Sequence, residues 1–119
     1  MKNIYVYVAS PYSNVDRKIV DTNVTVSMNA AEELWRAGFI PFMTLASHYY
    51  ELNHYSHSYQ EWMEYDFAWI LKCDALLRLH GVSNGATREV EFAVENNIPV
   101  FYNIKELELY FMEELNANN

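Results

Sequence analysis

Four short runs rich in β-branched and aromatic residues are separated along this chain by segments of helix length, and that alternation limits the fold more than any other feature. The runs are Ile4–Ala9, Phe39–Met43, Ala75–Leu79 and Pro99–Tyr102. The first intervening helix opens at Ser13 or Asn14 and runs to about Arg36, with Ile19, Asn23, Val26, Ala30 and Leu34 near one face. Two more run from Tyr59 to Lys72 and from Asn84 to Asn96, and an amphipathic helix from Ile104 to Leu115 follows the last strand. Strands joined by helices of this length predict an α/β fold with a parallel sheet of four to five strands, right-handed crossovers and helices on both faces. Gly38 falls where a helix C-terminus takes a left-handed residue, and Pro41 places the second strand at a start or an edge. Residues 44–58 show no clean period and read as a long loop, whose Tyr and His content argues for function rather than disorder.

A chain of 119 residues is one domain, residues 1–119, with room for a single core. No apolar run approaches the roughly 20 residues of a membrane span, so no membrane partner is expected. Met1-Lys2-Asn3-Ile4 enters the first strand without a signal-peptide pattern, and the single cysteine, Cys73, suits a reducing compartment, so a cytoplasmic location is expected. A formal charge of −8 argues against a nucleic acid polymer, while leaving room for one small phosphate at a helix N-terminus. There is no GxGxxG, no GKS/T, no GxSxG and no CxxC, which removes the main support for dehydrogenase, P-loop, esterase and thioredoxin readings. His48, His54 and His57 lie on the irregular segment with no Cys partner, so neither a metal nor another cofactor is expected.

Parallel sheets bind ligands at the carboxyl ends of their strands. Here those ends are Ser10-Pro11-Tyr12, Thr44 onward, and His80 to Gly85. Two carboxylates fall near them on otherwise apolar helix faces. Glu89 shares its face with Ala86, Phe92 and Ala93, and the nearby helix N-terminus is expected to keep it ionised, as a nucleophile or base. A salt bridge with Arg78 or Arg88 is the alternative. Asp66 shares a face with Trp62, Trp69 and Ile70, an aromatic surround that raises a carboxyl pKa and suits a proton donor. Its alternative is a buried cap or a pair with Arg78. Asp74, at a helix-to-strand junction, reads as structural. Ser83-Asn84-Gly85-Ala86 is a small-residue helix start that can offer N–H groups to a phosphate.

Three stretches carry a family resemblance: Tyr5-Val6-Tyr7-Val8-Ala9-Ser10-Pro11-Tyr12, Asp66 through Trp69 to Asp74, and Ser83-x-Gly85-x-x-x-Glu89-x-x-x-Ala93. Together they resemble the nucleoside 2-deoxyribosyltransferase superfamily, most of all its 2′-deoxynucleoside 5′-phosphate N-hydrolase branch and related small phage and bacterial proteins. The resemblance spans about residues 3–103. It implies a flavodoxin-like (Rossmann-like) sheet and cleavage of the bond between a base and a (deoxy)ribose. By motif position it makes Glu89 the nucleophile, Asp66 the acid that protonates the leaving base, and Tyr7 the residue that holds Glu89. Ser83, where free-nucleoside transferases carry Asp, together with Gly85, Ala86 and Ser10, implies a nucleoside 5′-monophosphate substrate. His48 becomes a candidate for the base pocket, and self-association as a homodimer or higher homo-oligomer is implied. Pro11 departs from the Arg/Gly-rich loop of the phosphate hydrolases. The alternatives are base exchange by a deoxyribosyltransferase, a nucleotide sensor without turnover, and a protein-interaction module.

Overall fold

The computed structural model describes residues 2–54 and 56–117. Its sheet has four strands, β1 (Tyr5–Ala9), β2 (Ile40–Phe42), β3 (Ala75–Arg78) and β4 (Val100–Phe101), all parallel and in the order β2-β1-β3-β4. This is the flavodoxin-like α/β arrangement, in which the chain leaves β1 to either side and opens a crevice between the ends of β1 and β3. The helices are α1 (Arg17–Arg36), α2 (Ser47–Asn53), α3 (Tyr59–Ile70), α4 (Asn84–Glu95), α5 (Ile104–Tyr110) and α6 (Met112–Ala117). Among the described residues no helix is long and apolar enough to cross a membrane.

Strand side chains alternate between faces, so β1 supplies two cores. Ile4, Val6 and Val8 pack with Ala75, Leu77, Leu34 of α1, Phe39, Leu107 of α5 and Phe111. Tyr7 and Ala9 pack on the other face with Leu76, Ile70 of α3, and Ala86 and Ala93 of α4. Helices therefore cover both faces. The in-register partners of Tyr7 are Phe42 on β2 and Leu76 on β3.

Four details depart from the sequence reading. The cap of α1 is Asp16, whose Oδ1 accepts from the Lys18 N–H at 2.9 Å, while Asn14 holds the Asp16 N–H. The buried stripe of α1 is Val24, Ser27, Ala31 and Leu34, and Ile19 and Val26 are exposed. Small residues let this helix approach the sheet, so the bulky apolar ones fall to the side. Residues 44–58 are not a plain loop: Thr44–Ala46 form a 3₁₀ turn that leads into α2. Tyr55 lies outside the described residues. Helix α2 buries none of its residues and has no side-chain cap, and its Tyr50 ring rests against His54, His57 and Trp62. A helix held by ring contacts has no apolar stripe to betray it in sequence. The terminal helix is broken at Phe111, which leaves helical geometry (φ −102°, ψ 21°) and is buried against Phe39.

Gly38 has φ +101° just past the end of α1. Gly81 matters more for the site. Its φ is +126°, and a Cβ there would stand 2.8 Å from Cγ of Pro11. The Arg78 guanidinium donates to the carbonyls of Leu79 and Gly81, holding the start of the β3–α4 loop in shape. Gly81→Ala must therefore strain its backbone and push Pro11 away. We expect a loss of about 1–2 kcal/mol in urea unfolding, or more where the loop cannot shift.

Candidate active site

Helices α3 and α4 meet across the β1 side of the sheet, and the Phe67 and Phe92 rings stack there at 4.3 Å. One residue before Phe67 and one turn before Phe92 stand Asp66 and Glu89. Tyr7 reaches up from β1 between them. Its ring is fully buried and stacks on Phe42, which in turn stacks on Trp69. Its hydroxyl donates to Glu89 Oε2 at 2.5 Å. Glu89 is 4% exposed. The Asp66 and Glu89 carboxyls are themselves hydrogen-bonded, and Asp66 also reaches the Tyr7 hydroxyl.

Two carboxyls in contact cannot both ionise cheaply. Burial pushes Asp66 up to about 6, although its bonds to Glu89 and Tyr7 favour its charged form. Burial and then the Asp66 charge push Glu89 up to about 9, against the bond from Tyr7 and the nearby Arg78. The pair holds one shared proton across neutral pH. Asp66 is raised, as its aromatic surround led one to expect, and Glu89 is raised with it. Glu89 is the sixth residue of α4, beyond the first turn where the helix dipole acts, so burial prevails. The Tyr7 hydroxyl is raised well above its ordinary range by burial, then by Glu89 and Asp66, and is a donor throughout.

The pair opens on a cleft of about 1180 Å³ lined by Ser10, Tyr12, Thr44, Glu51, Trp62, Ser83, Gly85, Ala86 and Arg88, among others. Ser10 is buried and donates to the Pro11 carbonyl at 3.3 Å. Ser83 caps α4, its Oγ accepting from the Ala86 N–H at 3.1 Å. The Ala86 amide is thereby engaged and is corrected as a phosphate donor; the first-turn amides of Asn84 and Gly85 have no intrahelical acceptor. His48 is not among the cleft-lining residues. It is hydrogen-bonded through Nδ1 to the hydroxyl of Tyr12, a cleft-lining residue, at 2.8 Å. Asp74 is structural, accepting from the Tyr5 N–H at 2.9 Å and pairing with Lys2 at 3.7 Å. Arg88 lies over the Tyr59 ring, 5.6 Å from its centre, rather than beside Glu89. A second groove, between β2 and α3, is apolar and has no carboxylate on its walls.

Sequence reading overlooked Thr44 and Glu51. Thr44 is buried at the end of β2, donates to the Val8 carbonyl at 2.6 Å and stands beside the Tyr7 hydroxyl. A small polar residue closing a parallel strand was the available signal. Glu51 sits on a segment with no legible period.

An acid whose folded pKa is raised stabilises the fold fully below its unfolded value and loses that contribution as pH rises through the folded value. The carboxyl pair thus erodes stability between about pH 4 and the value of about 9 reached by Glu89. Glu89→Gln keeps an acceptor for Tyr7 and gives Asp66 a donor. It should flatten the fall in stability across this window and stabilise the fold by roughly 1–3 kcal/mol at pH 8, measured by urea unfolding.

No curated protein matches the chain. The profile of a family described as a domain of unknown function (DUF7768) matches residues 4–103, which hold all four strands, Tyr7, Asp66, Glu89 and the loops around them. Most of the chain is matched, and it belongs to that family.

Proposed function

We propose that this chain is an N-glycosidase, cleaving the base–sugar bond of a (deoxy)nucleoside 5′-monophosphate. The observation that carries the reading is the Tyr7–Glu89–Asp66 cluster: two carboxyls sharing a proton at the mouth of a cleft, one of them held by a buried phenol. Breaking a glycosidic bond needs a carboxylate for the anomeric carbon and a proton for the leaving group. A singly protonated pair holds both.

The ground state differs from that of a separated retaining pair, whose carboxyls stand about 5 Å apart. Here they touch, so substrate must come between them or displace Asp66. The shared proton then passes through Asp66 to the base nitrogen as the C1′–N bond breaks. The freed Glu89 carboxylate bonds to C1′, with the Tyr7 hydroxyl fixing its other oxygen. Water next attacks C1′, the Glu89–C1′ bond breaks, and the water proton returns to the pair. Ser83, the Gly85 N–H and Ser10 are the groups for the 5′ end. The reading brings with it a small-molecule ligand, no cofactor, a cytoplasmic location and self-association.

One observation favours the runner-up, base exchange on free nucleosides. Glu51 and Glu91 line the cleft, and the Ala86 amide is engaged, so an uncharged 5′ end meets less repulsion. Incubating the protein with nucleosides and 5′-monophosphates, with and without a second base, separates the two.

Glu89→Ala should lower base release by roughly 10³-fold or more; full activity in that variant would end the reading. Only the singly protonated pair is competent. Below about 6 the nucleophile is lost to a second proton, and above about 9 the acid is gone. A bell-shaped rate profile with limbs near those values is expected.

A further inference from the structure

The apolar groove between β2 and α3 shares no lining residue with the carboxyl cleft. Its volume is about 630 Å³, inside the range of roughly 300–1,000 Å³ that takes a small molecule. Tyr5 of β1, Ile40, Pro41 and Phe42 of β2, and Trp69 of α3 supply its apolar walls. Trp69 stacks one face on Phe42 and is still 41% exposed. Flat ring surface left open in a concavity is matched best by another flat ring, which gains stacking contact without losing rotamers.

Beyond the last turn of α3, Lys72 and Cys73 complete the lining. The chain carries 16 acids against 8 lysines and arginines, yet the Lys72 ammonium has no ion-pair or hydrogen-bond partner among the described residues. Asp74 is engaged by the Tyr5 N–H and by Lys2, and it lies off the groove's walls. Burial, and then the Asp74 charge, push the Cys73 thiol up to about 12, so it stays neutral. Lys72 is therefore the one charge on these walls, and it is positive. An anionic head on an apolar body complements both features. A second copy of the chain suits the groove poorly. A two-fold contact centred here sets the same patch against itself, so groove faces groove and Lys72 faces Lys72, with a void between them.

We propose that this groove is a second ligand site, for a small aromatic carboxylic acid whose ring lies on Trp69 and whose carboxylate meets Lys72. The site is independent of the chemistry assigned to the cleft.

The test is proton–nitrogen correlation NMR of the full chain at neutral pH, titrated with naphthoate, naphthylmethanol and decanoate. The three tryptophan indole N–H signals report separate places: Trp69 in the groove, Trp62 on the cleft and Trp35 exposed on α1. Naphthoate should move the Trp69 signal saturably, with a Kd of about 1 mM or tighter, and leave those of Trp62 and Trp35 in place. Naphthylmethanol lacks the charge and decanoate the flat ring, and each should bind at least about threefold more weakly. Lys72→Gln should bring naphthoate down to the level of the alcohol while changing the alcohol by less than about twofold. Ala68→Phe, a change at an exposed wall residue that fills the groove, should abolish binding of all three. A Trp69 signal that no probe moves, or one that drifts together with Trp62 and Trp35 without saturating, overturns the site. Equal binding of the alcohol, or a Lys72→Gln variant that still prefers the acid, overturns the carboxylate, and decanoate binding as tightly as naphthoate overturns the ring. A Trp69 signal that shifts on dilution of the protein alone gives the groove to a second copy and overturns the proposal.

Discussion

From Val6 to Ala9, β1 has no side exposed to water, and this constraint organises the molecule. A strand covered on both faces and paired on both edges must be apolar at nearly every position. Tyr7 is the exception that fits, because its ring satisfies the core while its hydroxyl reaches past it to Glu89. The same residue therefore aligns the sheet face with α3 and α4 and fixes a carboxylate at the cleft. Packing and site share one side chain.

Helices α3 and α4 then bring two acids into a place where one charge is tolerated and two are not. The outcome is set by distance from the helix end. Ser83 caps α4 and leaves amides open in the first turn, but Glu89 lies too far along to benefit. Burial, the neighbouring Asp66 and the Tyr7 hydroxyl decide its proton instead. Thr44 and Arg78 act one step out, one beside the phenol and the other on the β3–α4 loop.

The architecture was legible in the chain because its four strand runs are short, β-branched and separated by helix-length segments. Local rules also placed the helix start at Asn84, the turn at Gly38 and the edge position of Pro41. They failed where the stabilising contact is not periodic. Ser27 reads as polar yet is buried for its size, and α2 is held by ring contacts that leave no stripe. Tyr7, Asp66 and Glu89 could be named because each lies near a strand end or on an apolar helix face. Their protonation could not, since it depends on a carboxyl–carboxyl contact between two helices. Glu51 was invisible for the same reason: its partner Trp62 is eleven residues away, on a different helix.

The two rims of the sheet are brief, β2 with three residues and β4 with two. On β2 the Ile40 N–H turns inward to the Ile4 carbonyl. Alternation turns the next backbone nitrogen outward, and that residue is Pro41, which has no hydrogen to offer. The outer rim thus lacks the donor that a stray strand would first engage. A sheet so finished resists edge-to-edge growth into aggregates while its apolar strands stay paired within.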